Sequence, residues 1–403
     1  MSDAKPYIIK LYSKIISKTA SWILENPYLS ILIGILAIIS CVNIKFGYSI
    51  LGIDNYSAFL NVNHNTLRSL LTTWRDYRGL GVVSDSEVTD IWRNLYYFFG
   101  QFVIPNNLLE QLYYLFTLNL GVLTTYKLGE HIFKRANKDK LLSRYSGLFG
   151  FLAAFFYLFN INTLSVFYFP MLMFVARFYA LPVTVYVLIR IMDTPKISTK
   201  KMIMYVALLL ISSVTFIVPT VFITMLMVVF MVGLSRWEHY RRVVLALIIF
   251  ILINFYWLLP FVNYTHQKSE DIKFASTFIW FNEALLNKND SYYAPERSIL
   301  LIPQFYDMKY VKTDTKEAFM YHPLYERYSS TDWNIEKTFL WLFPALYILG
   351  GVLLLYKGIR SFEWLWIPAT TFVFVFFSMN KFGPLGFIYS FIGKVIPIFE
   401  IIF

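Results

Sequence analysis

The chain predicts an all-α polytopic membrane protein with about nine to ten transmembrane helices, and three observations carry that reading. Of its 403 residues, 57% are hydrophobic and only 15% are charged. Mean hydropathy is +0.54. Apolar runs close to the ~20 residues that cross a hydrocarbon core recur along the length. A soluble fold with one core does not bury so large an apolar fraction.

The first span, about 28–47, follows a 27-residue segment and lacks a small-residue cleavage site, so it reads as a retained anchor. Further spans are predicted at about 108–127, 146–161, 171–190, 202–218, 219–235, 242–262, 337–357 and 363–379. The segment 384–403 reads as a re-entrant or unfinished element. The sequence stops mid-pattern at Pro397-Ile398-Phe399-Glu400-Ile401-Ile402-Phe403, as expected of a truncated product or one half of a larger enzyme. The single cysteine, Cys41, lies inside a span, so there is no disulfide framework. Four regions follow: an N-terminal segment 1–27, a transmembrane core 28–262 that includes a first outer loop 48–107, a second outer loop 263–336, and C-terminal spans 337–403.

Charge sets the orientation. With the N-terminus in the cytoplasm, the inner segments hold 19 Lys and Arg, against 12 in the two outer loops, which are about twice as long. The outer loops also hold 5 and 11 acids against 4 and 8 bases, so both are net negative. This is the positive-inside pattern. It accounts for the net charge of +11 as topology rather than nucleic-acid binding.

In the first outer loop, Leu67, Leu70, Leu71 and Trp74 recur at one helical face, and Trp92, Tyr96, Phe99 and Val103 do much the same. Between them lies a turn signal, Tyr77-Arg78-Gly79-Leu80-Gly81. The pattern predicts two amphipathic helices lying in the outer interface. The alternative is a small ectodomain packing its own core. The second outer loop is rich in aromatics, among them Trp280, Tyr292 and Tyr293. Such rings either stack on sugars or form the loop's own core and membrane footing.

Asp54, in Gly52-Ile53-Asp54-Asn55-Tyr56, stands just past the first span. A carboxylate there can take the proton of a sugar hydroxyl as a glycosidic bond forms; the plain alternative is a solvated loop acid. Asp76 is a second acidic candidate, and Asp85, Glu87 and Asp90 form a cluster. Asp85 and Glu87, two residues apart, read as a clamp for one hard divalent cation, Mg2+ or Mn2+; the alternative is that the cluster is the acidic N-terminus of the helix that follows. Arg75, Arg78 and Arg93 suit phosphate oxygens or pair with these acids. Arg177, between Pro170 and Pro182, sits at or inside the fourth span, where a charge either serves function or snorkels, and where the two prolines predict irregular backbone. His64, His266 and His322 have no metal-ligand spacing. No Walker loop, GxGxxG or GxSxG occurs, which removes support for nucleotide-driven transport and serine hydrolysis.

Gly52-Ile53-Asp54-Asn55, Leu67 to Trp74 and Tyr77-Arg78-Gly79-Leu80-Gly81 together resemble the integral-membrane GT-C glycosyltransferases, in particular their arabinofuranosyltransferase-like branch. Asn254-Phe255-Tyr256-Trp257-Leu258-Leu259-Pro260 resembles the Asn-x-x-Trp-Leu-Leu-Pro signature of that branch, and Pro397-Ile398-Phe399 its Pro-x-Phe. The likeness covers roughly 28–403. It implies a polyprenyl-phosphate-linked sugar donor, a glycan or glycolipid acceptor, an active site outside the cytoplasm, inversion at the sugar carbon, and Asp54 as base. Within that reading Arg75, Arg78 and Arg177 are donor-phosphate candidates, and Trp74, Trp280, Tyr292 and Tyr293 are sugar or acceptor candidates. Two departures stand out: Ile53 separates the Gly-Asp pair, and the carbohydrate-binding part of the large family members is missing. The WWDYG motif of oligosaccharyltransferases is also absent. The competing readings are a lipid or glycan flippase or transporter, and an inactive partner of a second membrane subunit.

Overall fold

The computed structural model describes residues 17–18, 20–48, 50, 61–71, 74–75, 82–83, 87–136, 143–168, 172–273, 345, 348–353, 355–356, 362–379 and 385–395. Among these the protein is mostly helical. Helix α1 is Pro27–Asn43, α2 Val62–Leu71 and α3 Ile91–Gly100; the two-residue strands β1, Trp74–Arg75, and β2, Val82–Val83, lie between α2 and α3. Then follow α4 Asn106–Ala136, α5 Ser146–Phe159, α6 Ile161–Tyr168, α7 Leu172–Asp193, α8 Thr199–Ser212, α9 Pro219–Leu234, α10 Tyr240–Lys273, α11 Phe362–Met379 and α12 Gly386–Val395. A 3₁₀ turn, Glu87–Asp90, leads into α3.

Local chemistry places several helix ends. Pro27 and Pro219 open α1 and α9, where a missing N–H costs nothing. Asn160 closes α5 and caps α6, its side-chain oxygen accepting from the Thr163 N–H at 3.0 Å. Helix α7 runs unbroken through Pro182, so the irregularity expected from that proline does not occur in the described part. Residues 348–353, within the predicted span 337–357, are helical.

Two of the described helices are long and apolar enough to cross a membrane: Val175–Asp193 in α7, and Trp237–His266, which enters α10. Helices α1, α5, α9 and α12 are apolar but shorter.

The main core joins α7, α8, α9 and α10, with Trp366 of α11. Trp257 is its largest fully buried side chain. An indole N–H in such surroundings requires an acceptor. Asn254, one turn earlier and itself fully buried, supplies it at 2.9 Å while donating to the Phe250 carbonyl. That pairing is a structural reason for the Asn-x-x-Trp spacing. The opposite side of α10 is apolar too, yet Val244, Ile248, Leu252, Phe255 and Leu259 are exposed along it. A second core joins α1, α4 and α5, where Gly129 and Gly150 bring the α4 and α5 backbones together.

Candidate functional site

The site is built where α2, α3 and the first turn of α4 meet. Helices α2 and α3 lie against each other with inverted polarity. Asn65, Thr66, Arg68 and Ser69 of α2 are buried, whereas Leu67, Leu70 and Leu71 are exposed, Leu71 by 72%. The buried polar side chains are hydrogen-bonded across the pair. Asn94 donates to the Ser69 hydroxyl at 2.6 Å and to the Asn65 carbonyl at 3.3 Å, and the Thr66 hydroxyl reaches the Asn94 carbonyl. On α3 and the turn after it, Phe99, Phe102 and Val103 are exposed and Arg93, Asn94 and Tyr97 are buried. Helix α2 therefore turns three leucines outward, and α3 with the turn after it exposes Phe99, Phe102 and Val103, while Val62, Tyr97 and Leu109 form a small apolar core between them.

Asp90 stands at the N-cap position of α3 but does not cap it. It accepts from Arg93 at 2.5 Å instead. Burial, the largest influence, would make the guanidinium release its proton more readily; the Asp90 carboxylate together with Tyr113, Tyr97 and Tyr114 outweighs that, and Arg93 holds its proton more tightly than a free arginine. This is the ion pairing that the sequence offered as the plain alternative for the loop arginines. Burial pushes the Tyr96 phenol up to about 12. It therefore remains a donor, to the Leu109 carbonyl at 3.1 Å. Tyr96, Tyr97 and Tyr113 form a ring cluster with centroids 5.4 to 6.1 Å apart.

Beside this cluster, α4 opens with two buried polar residues. Gln111 accepts from the Lys45 N–H at 2.8 Å and donates to the Lys45 and Tyr48 carbonyls at 2.8 and 2.7 Å. One Glu110 oxygen, Oε2, accepts from the Ile50 N–H at 3.1 Å. The other, Oε1, has no hydrogen-bond partner among the described residues, and the residue is fully buried. The Arg93 Nε and the Tyr97 hydroxyl are likewise buried without partners there. A carboxylate oxygen, a guanidinium N–H and a phenol are together able to accept from and donate to a hydroxyl. Gln111 and Glu110 thus clamp the exit of α1 across 66 and 60 residues of chain. Gln111→Ala should speed hydrogen exchange at the Lys45 amide about fivefold, the equivalent of ~1 kcal/mol for one lost bond; unchanged exchange there would show that the clamp does not hold.

Of the residues singled out in the sequence, Asp54, Asp76, Asp85, Arg78, Trp280, Tyr292 and Tyr293 lie outside the described residues. Trp74 and Arg75 form β1, paired antiparallel with Val83 and Val82, so the Tyr77–Gly81 turn signal falls between paired strands. Glu87 lies in the 3₁₀ turn with Asp90. Arg177 is partly buried near the start of α7, two residues before the fully buried Tyr179. Among the described residues no group of three His, Cys, Asp or Glu side chains is arranged to hold a metal ion. Gln111 gives no local sign of its role in the sequence, since its partners, Lys45 and Tyr48, come from a distant segment.

A second polar cluster stands at the far end of α4. Asp193, at the end of α7, accepts from Arg135, from Arg236 at 2.8 Å and from His131 at 2.8 Å. Glu110 and His131 are 21 residues apart on one helix, about 32 Å at 1.5 Å per residue. That equals the thickness of a bilayer's hydrocarbon core.

Compared with protein-family models, with curated proteins and with solved structures, the chain matches none.

Proposed function

We propose that this chain is a polytopic membrane glycosyltransferase. It transfers a sugar from a polyprenyl-phosphate carrier to a glycan or glycolipid on the outer face of the membrane, with its N-terminus in the cytoplasm. The observation that carries the reading is the inverted helix pair. Helices that expose leucine and phenylalanine and bury asparagine, threonine and arginine suit an interface with lipid, not an ectodomain in water. The exposed apolar side of α10 supports the same setting, as does the bilayer-length spacing of polar clusters along α4. Asp54 stands in the chain between Ile50, which Glu110 holds, and helix α2.

In the reaction, the acceptor hydroxyl gives its proton to Asp54 as its oxygen bonds to the anomeric carbon. The bond from that carbon to the carrier phosphate breaks, and the electron pair leaves with the phosphate. Arg75, Arg78 and Arg177 are the candidates to hold that phosphate. Trp74, Trp280, Tyr292 and Tyr293 are the candidates to stack on sugar, and Mg2+ or Mn2+ remains a candidate aid at Asp85 and Glu87. Asp90 is the weakest of the alternative acids because Arg93 already occupies it.

The test is transfer from a panel of radiolabelled polyprenyl-phosphate sugars by purified protein in nanodiscs. Asp54→Asn should lower transfer on the order of a hundredfold, the lower range for loss of a general base. Equal transfer by both proteins would keep the activity and move the base to Asp76 or Asp85. No transfer by folded wild type would sink the reading and favour lipid translocation or a partner-subunit role.

A further inference from the structure

The end of the bundle that holds Asp193 also gathers bases that no acid answers. Arg236 ties the turn after α9 to the end of α7 through Asp193, and Tyr205 of α8 bonds to Arg190 of α7. Helices α8 and α10 therefore both begin at this end. Each opens on a pair of bases with no acid in its first turn, Lys200 and Lys201 in α8, and Arg241 and Arg242 in α10. Bases in a first turn oppose the helix dipole, so these four do not serve their own helices. Glu130 takes Lys127 and Lys134, and Asp193 takes Arg135 and Arg236; the ion pairs among the described residues include none of the four. Beside Arg241 stand Trp237 and Tyr240, 64% and 49% exposed, with ring centroids 6.4 Å apart. Arg241 Nε donates to the Tyr240 hydroxyl at 3.2 Å. Along the same helix face run Val244, Leu245, Ile248 and Leu252, all exposed. Leu252 stands 11 residues past Arg241, about 16 Å at 1.5 Å per residue. That is half of the ~30 Å hydrocarbon core, the depth of one leaflet.

We propose that the start of α10 is a docking surface for an anionic phospholipid. Its phosphate sits on Arg241 and Arg242 at the level of Trp237 and Tyr240, and its acyl chains lie along Val244, Ile248 and Leu252. Charge complementarity selects this occupant. Residues 235–242 hold three arginines and one acid, Glu238, and of the arginines only Arg236 is taken by Asp193. Two amphipathic rings mark the headgroup layer, and bases beside them draw a lipid of net negative charge. Lys200 and Lys201, exposed at the same end, add to that field. A zwitterionic headgroup would bring a cation of its own against the arginines and gain less. The surface rests on the membrane setting of the proposed function and not on sugar transfer, so either can fail while the other stands.

The test is native mass spectrometry of the full chain, released from micelles that hold equimolar phosphatidylglycerol and phosphatidylcholine with identical acyl chains. Wild type should retain phosphatidylglycerol in preference, and rising ionic strength should weaken that preference. Arg241→Gln should lower it about fivefold, the equivalent of ~1 kcal/mol for one base near a membrane surface. Excess inorganic phosphate should leave the lipid bound, because the acyl chains contribute to the affinity. Equal retention of the two lipids by wild type, or displacement by inorganic phosphate, overturns the proposal, as does an unchanged preference in folded Arg241→Gln. The first two readings need only the wild-type protein and decide the matter even where the variant misfolds.

Discussion

Asp193→Ala is expected to lower the stability of the folded protein by about 3 kcal/mol, the cost of stranding buried charges when one partner of an ion pair is removed. The carboxylate is shared by Arg135, Arg236 and His131, which come from α4 and from the turn after α9. Arg236 is the most exposed to this loss, because it is itself 4% exposed. Its bonds to the Val232 carbonyl and the Ser235 hydroxyl carry no negative charge. Arg135 and His131 reach solvent at 26% and 19%, and solvent screening discounts their share. For that reason the expectation sits at the low end of the range for buried pairs. Thermal or denaturant unfolding in one detergent would measure it. A double-mutant cycle with Arg236→Met should show a coupling of at least ~1 kcal/mol between the two sites. A loss under ~0.5 kcal/mol in Asp193→Ala would place the cluster among ordinary surface pairs.

The parts of this fold that the sequence makes legible are those encoded in local periodicity. The helical pattern of Leu67, Leu70, Leu71 and Trp74 places a helix; α2 covers the three leucines and ends at Leu71, and Trp74 falls instead in β1, paired with Val83. Most of the described residues in the predicted spans are helical, although 44–47 and 216–218 are not. Which face of α2 turns inward is a different matter, because it depends on the solvent outside. In water the leucines would be buried; here Asn65, Thr66 and Ser69 are, because Asn94 on α3 completes their hydrogen bonds. The clamp by Gln111 leaves no trace in a local window, since Lys45 is 66 residues away. The cluster around Asp193 is an intermediate case. His131 and Arg135 are four residues apart, and Arg190 and Asp193 three, so each pair shares a helix face that sequence alone reveals. Their convergence on one carboxylate depends on how α4 docks against α7. Counting these residues as separate basic segments misses their convergence.

Two glycine-to-alanine substitutions should have opposite signs, and the contrast tests whether α4 and α5 meet as closely as described. Intrinsic propensity favours alanine within any helix by about 0.8–1 kcal/mol. At Gly34 in α1 nothing lies within 4 Å of an added Cβ, so Gly34→Ala should realise much of that gain. At Gly150 in α5 the added carbon would stand 2.6 Å from the Tyr126 backbone oxygen and 3.2 Å from its ring. The ring could turn, but the carbonyl belongs to α4 and can move only if the helix moves. Gly129 faces the same seam at 3.2 Å from the Ala153 Cβ, so separation at one position would pull at the other. Close approach through small residues is how helices gain packing energy where lipid offers no hydrophobic drive. Gly150→Ala should therefore cost about 2–3 kcal/mol, in the range for overpacking. Gly150→Leu should cost more, through loss of the α4–α5 seam. Because α4 carries Glu110 and Gln111 at one end and His131 at the other, the displacement should also reach the clamp on Lys45. Faster exchange at the Lys45 amide in Gly150→Ala, with none in Gly34→Ala, would tie the seam to the site. Equal stability changes in the two variants would mean that the seam is looser than 2.6 Å implies.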